Sequence, residues 1–146
     1  MYKNPPSTVD VGVVDKERVI LIKRKREPFK GRWALPGGFV EYGETVEEAA
    51  VREVFEETSM RVELEAILGV YSAPDRDPRR HTLTTVFIAR PVSGEPKGRD
   101  DAEIASWFDL ESVDTDELAF DHGLIVRDLR AWLNQNSTFW STKARK

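Results

Sequence analysis

The stretch from Thr45 to Thr58, TVEEAAVREVFEET, contains neither glycine nor proline, while the loop before it is dense in both. The hydrophobic period must therefore change here from that of strands to that of a helix. Thr45 and Glu48 have the spacing of a capping box, which predicts a helix of about fourteen residues starting at Thr45. Such a helix amid strands has to bury its apolar face on a sheet, so the chain is constrained to a mixed α/β architecture.

The flanking segments supply that sheet. VDVGVV (9–14) and RVILIK (18–23) read as a hairpin around Asp15-Lys16-Glu17, and 62–71, 81–92 and 104–108 read as further strands. EPFKGRWALPGGFVEYGE (27–44) reads as loop with a short strand near Trp33–Leu35. AFDHGLIVRDLRAWL (119–133) has helical spacing at Phe120, Leu124, Ile125, Leu129 and Trp132. At 146 residues one domain is expected, with an ordered core over about 8–135 and a polar tail over 137–146. No apolar run is long enough for a membrane span, the chain lacks cysteine, and its first residues do not resemble a signal peptide. A cytoplasmic protein is expected. A net charge of -4 argues against a general nucleic-acid binder, although KRKR (23–26) and RDPRR (76–80) offer places for a small anion.

At about 100° per residue, Val51, Val54 and Phe55 share one helix face, while Glu53, Glu56 and Glu57 share another. Glu47 and Glu48 lie in the first turn, where the helix dipole favours them. The other three lie toward the disfavoured end, and like charges one turn apart cost about 0.2–0.5 kcal/mol per pair. A divalent cation would reverse that cost, and hard oxygen ligands suit Mg²⁺ or Mn²⁺. A solvated acidic face is the alternative reading of the spacing alone.

The order of residues is more specific. Gly38, five residues, Glu44, seven residues, Arg52-Glu53-Val54, one residue, Glu56-Glu57, one residue, Ser59-Met60: this resembles the signature box of the Nudix hydrolases. Ser59 stands where that pattern has glycine, at the turn leaving the helix, where some backbone strain is expected. The resemblance implies an α/β/α sandwich with helices on both faces of a mixed sheet, a homodimer, and metal-assisted attack of water on a nucleoside diphosphate derivative. By the same resemblance Glu53 and Glu57 bind the metal with help from Glu56 and the Gly37 carbonyl. Arg52 orients a glutamate, a surface pairing with Glu48 or Glu56 being its alternative. Glu44 either holds the loop to the helix or binds metal through water. The general base is Glu56 or, second, Asp101.

Substrate class has to come from elsewhere in the chain. GVYSAPDRDPRRHT (69–82) and LAFDH (118–122) resemble the small ADP-ribose pyrophosphatases of the same family. Arg76 and Arg79, with Arg80, are candidates for phosphate or ribose oxygens, and His81 for a sugar hydroxyl. Arg24, from the KRKR cluster, is a further candidate substrate contact. A salt-bridged turn with structural histidines is the alternative for this loop. Trp33 and Phe39 offer an aromatic face to adenine or belong to the core. The leading expectation is hydrolysis of ADP-ribose to AMP and ribose 5-phosphate. A nucleoside triphosphate substrate and a non-catalytic ligand sensor are the alternatives.

Overall fold

The computed structural model describes residues 3–99 and 102–140. Its first two strands, β1 (Ser7–Asp15) and β2 (Arg18–Arg24), form the expected hairpin, with Val14 opposite Val19 and a left-handed residue, Lys16, in the turn. Then come the short strands β3 (Trp33–Ala34) and β4 (Gly37–Phe39), helix α1 (Val46–Thr58), and strands β5 (Arg61–Tyr71), β6 (Leu83–Ser93) and β7 (Ala102–Asp109). A 3₁₀ turn at Thr115–Glu117, helix α2 (His122–Gln135) and β8 (Phe139–Trp140) complete the order. The strands form one mixed sheet in the order β3-β2-β1-β6-β5-β8, with β4 attached to β1 and β7 to β2. β1 runs parallel to β6, and β5 parallel to β8; the other pairs are antiparallel. Among the described residues, no helix is long and apolar enough to cross a membrane.

Strand alternation places a helix on each face. Val9, Val11 and Val13 of β1 with Phe87 and Ala89 of β6 pack against Ala49, Ala50 and Val54 of α1. The intervening Val86 and Ile88 face the other way, onto Ile125, Val126 and Leu129 of α2. Each of these larger side chains, buried fully, contributes about 1.5–3 kcal/mol against exposure. Gly12 is the small residue on the α2 side of β1: a Cβ there would lie 3.0 Å from the Leu129 side chain.

Both ends of α1 follow from the sequence. The Thr45 hydroxyl accepts from the Glu48 amide at 3.0 Å while the Glu48 carboxylate accepts from the Thr45 amide at 3.0 Å, so the capping box is formed. At the other end Ser59 adopts φ 65°, and its amide donates to the Phe55 carbonyl at 2.9 Å. The serine occupies the left-handed position that glycine would take without strain.

Four local expectations are corrected. The buried face of α1 is Ala49, Ala50, Val54, Glu57 and Thr58, whereas Val51 and Phe55 are half-buried, because the helix turns its alanines to the sheet. α2 starts at His122 rather than Ala119: Phe120 is left-handed, and Asp121 makes no side-chain cap because Arg76 holds its carboxylate. Gly37–Phe39 forms a strand, its extended backbone pairing with Thr8–Asp10 of β1. Ordered structure also continues past residue 135. Phe139 is buried, and β8 lies beside Gly69, where any Cβ would run into the Phe139 carbonyl.

Candidate active site

β1 changes partner along its length. Its start, Thr8–Asp10, pairs with β4 and its end, Val14–Asp15, with β2. The chain from Leu35 to Phe39 bridges that change, tied by a 2.9 Å bond from the Val11 amide to the Pro36 carbonyl. One cleft opens there, lined by Asp10, Arg24, Gly37, Glu57, Arg76 and Phe120 among others. A second, lined by Arg24, Arg26, Glu53, Glu56, Glu57 and Arg79, continues from it along the acidic face of α1.

The two glycines let the strand and the helix meet. The Gly37 amide donates to Glu57 Oε1 at 2.7 Å, and a side chain at Gly37 would collide with Asp10 and the Val9 carbonyl. A Cβ on Gly38 would sit 2.6 Å from the Glu53 carboxylate. Glu57 is thereby buried, Glu53 is mostly covered, and Glu56 remains the more open of the three.

Arg52 is the hub of this face. Its Nε and Nη2 grip Glu44 at 2.6 and 2.9 Å, Nη1 donates to Glu53 at 2.8 Å and to Glu56 at 3.2 Å, and Nη2 also reaches the Phe39 carbonyl at 3.0 Å. It thus ties the 39–44 loop to the helix, and these bonds keep its own pKa raised. The same bond holds the Glu44 carboxyl down at about 2. Glu53 goes the other way. Burial pushes its pKa up to about 7, opposed by Arg52 and reinforced by the charges of Glu56 and Glu44.

This donor set fits a hard divalent cation. One guanidinium faces Glu44, Glu53 and Glu56, and the partial burial that raises the Glu53 pKa is an environment that a cation would offset. Among the described residues no three acidic or histidine side chains already converge on one point. Glu53 and Glu56 are turned onto Arg52, and an ion would draw them from it.

Beneath the cleft lies a buried polar network that sequence reading largely missed. Asp10 accepts from the Thr84 hydroxyl at 2.7 Å, with Arg76 Nη2 at 3.5 Å and His122 Nε2 at 3.4 Å. Leu35 donates its amide to His122 Nδ1 at 3.0 Å, which puts the ring proton on Nε2, facing Asp10. Burial works to raise the Asp10 pKa; His122, Arg76 and Thr84 outweigh it and hold it lower. The available signal was an aspartate on the face of β1 opposite Val9, Val11 and Val13.

The sequence candidates separate accordingly. Gly37, Arg52, Glu53, Glu56 and Glu57 line one cleft together with Arg24 and Arg79. Arg76 lines the cleft but is buried, its donors engaged by Asp121, Thr82 and Asp10. His81 lies apart, in a groove with Lys3, Arg79 and Arg80, its Nε2 2.9 Å from the Ser72 carbonyl. Trp33 packs edge-on against Phe108 beside the α2-side core, whereas Phe39 is exposed beneath Arg80. Asp101 lies outside the described residues.

Comparison with known proteins agrees with this geometry. Residues 4–129 match the model of the NUDIX domain. An ADP-ribose pyrophosphatase of Methanocaldococcus jannaschii is 52% identical over 135 residues, covering 92% of this chain and 78% of that protein. The NUDIX domain of Shewanella oneidensis NrtR, solved in complex with ADP ribose, superposes with a TM-score of 0.78 at 27% identity, covering 90% of each chain. A bifunctional NMN adenylyltransferase/ADP ribose pyrophosphatase of Francisella tularensis, complexed with AMP and a manganese ion, gives 0.80 at 30% identity, over 93% of this chain and 43% of that one. With its signature residues gathered in one cleft and its sheet enclosed between two helices, the chain belongs to the Nudix hydrolase family.

Proposed function

We propose that this hydrolase cleaves the diphosphate of ADP-ribose, giving AMP and ribose 5-phosphate, with Mg²⁺ or Mn²⁺ as its metal. The observation that carries the reading is continuity: the acidic wall of α1 runs into a cleft bordered by Arg24 and Arg79, room for a diphosphate between a cation site and cationic side chains. The 52% identity to an ADP-ribose pyrophosphatase and the resemblance to a NUDIX domain complexed with ADP ribose support the substrate.

Glu53 and Glu57 would hold the ion, with help from Glu56 and the Gly37 carbonyl. Bound there, the metal would neutralise phosphate oxygens and lower the pKa of a water. The protein's own part is positional. The Gly37 amide fixes Glu57, and Arg52 sets the directions of Glu53 and Glu56. Glu56 is our first choice to take the proton of the attacking water, its being the most open of the three supporting this, and Asp101 is the second. Arg24 and Arg79 meet the phosphates. Arg76 supports the loop that carries Arg79, and His81 reaches substrate only if it leaves Ser72. A homodimer in the cytoplasm completes the proposal; the dimer is supported by the family resemblance and is checked by the mass of the particle in solution.

Incubation with ADP-ribose and Mg²⁺ followed by identification of products tests the reading. AMP and ribose 5-phosphate in equal amounts are expected, and preferential cleavage of nucleoside triphosphates would replace the substrate.

A further inference from the structure

Arg24 ends β2 and Arg79 sits in the loop before β6, yet both guanidinium groups converge on one aromatic ring. Arg24 Cζ lies 4.8 Å from the centroid of Phe120 and Arg79 Cζ 5.9 Å from it, within the range where a cation is drawn to a ring face. Each also donates to a protein acceptor. Arg24 Nε donates to the Pro28 carbonyl at 2.8 Å, and Arg79 Nε and Nη2 donate to the two Asp77 oxygens at 3.1 and 2.8 Å. Two like charges brought together this way border the same cleft as Gly37, Gly38 and Glu57.

The backbone at Phe120 is fixed by its neighbours. Phe120 has φ 53°, a left-handed conformation that an aromatic residue adopts only when its surroundings impose it. The Ala119 amide donates to the Trp33 carbonyl at 2.9 Å, Asp121 is gripped by Arg76, and His122 accepts from Leu35. A second left-handed aromatic, Phe29 at φ 62°, meets the Phe120 ring edge-on at 4.9 Å. The ring is thus held by its backbone and by Phe29 where both arginines lie within reach of it.

We propose that Phe120 is a positioning residue that holds Arg24 and Arg79 on its ring so that both guanidinium groups address the substrate's diphosphate. The inference rests on the diphosphate-cleaving reading of the site. It deepens that reading by assigning a strained aromatic residue beside two arginines to recognition of one anion. A residue that merely fills space between loops would not act through the arginines.

The test is titration of inorganic pyrophosphate into the full chain in the presence of chelator, followed by calorimetry. Phe120→Leu keeps an apolar side chain against Phe29 but removes the ring face, and should weaken pyrophosphate binding about three- to tenfold. Phe120→Tyr should bind as the parent does. In the Arg24→Ala/Arg79→Ala background, where binding is already weaker, adding Phe120→Leu should cause no further loss. Unchanged binding in Phe120→Leu, or an equal loss in both backgrounds, overturns the proposal. If Phe120→Leu fails to fold, the double arginine variant decides alone, and pyrophosphate binding as tight as the parent's overturns it. Hydrolysis of ADP-ribose by the parent is measured separately, so a wrong substrate and a wrong role for Phe120 give different results.

Discussion

Arg76 grips Asp121 with two parallel bonds, Nε to Oδ2 at 2.9 Å and Nη2 to Oδ1 at 2.8 Å, joining the loop before β6 to the residue before α2. The sequence suggested that Arg76 touches substrate; in the structure it lines the cleft with its guanidinium engaged by Asp121, Thr82 and Asp10. Removing it leaves Asp10 without one of its partners and Asp121 unpaired in a largely buried setting.

Arg76→Ala is therefore expected to destabilise the fold by about 3–5 kcal/mol, the range for breaking a buried ion pair from one side. Arg76→Lys should lose less, keeping the charge but not the fork. Urea denaturation of both variants measures this. A stable Arg76→Ala protein with a selective rise in KM would return Arg76 to direct substrate contact.

Glu57→Gln is expected to lower kcat on the order of 100-fold or more, since an amide is a poor ligand for a hard cation. The amide oxygen can still accept from Gly37, so the melting temperature should change little. Wild-type turnover by this variant would remove Glu57 from the ligand set.

Acid should weaken the tie between the 39–44 loop and α1. The folded pKa of Glu44 is depressed to about 2 from an ordinary 4.5, chiefly by the Arg52 bond. A depressed carboxyl stabilises fully above its unfolded pKa and loses that contribution as pH falls through its folded one. The stability gap between wild type and Glu44→Gln should then be widest above pH 4.5 and close toward pH 2, as followed by denaturation at several pH values. A gap constant across that window would mean that Glu44 acts by packing rather than charge.

Ser59→Gly should stabilise the protein by about 1 kcal/mol, because glycine takes a positive φ without the penalty that serine bears. Turnover should be unchanged, since Ser59 lines neither cleft. Thermal denaturation measures the first and steady-state kinetics the second.

The acidic wall was legible in the sequence because Arg52, Glu53, Glu56 and Glu57 share one helix, where period alone sets which side chains are neighbours. The capping box was legible for the same reason, and the Ser59 turn from the resemblance to the signature box, which has glycine there. What escaped reading depends on contacts distant in sequence. Asp10, Thr84 and His122 come from β1, β6 and α2 and meet only because β1 pairs in parallel with β6. Arg76 was identified as a candidate substrate contact, but its bond to Asp121, forty-five residues away, could not be read from local spacing. The same long-range bond displaced the start of α2, which local spacing had put at Ala119. Phe139 and Trp140 looked like part of a polar tail because a two-residue strand has no periodicity to detect.

The α1 carboxylates and the arginine-bordered cleft are proposed to cleave the diphosphate of ADP-ribose together, with a divalent metal. Phosphorus NMR of ADP-ribose incubated with the protein and Mg²⁺, with and without excess chelator, tests it most directly. The diphosphate signals should be replaced by those of AMP and ribose 5-phosphate in equal amounts, a change abolished by chelator and restored by added Mg²⁺ or Mn²⁺. Intact ADP-ribose alongside rapid cleavage of a nucleoside triphosphate, or turnover that persists under chelation, would contradict it.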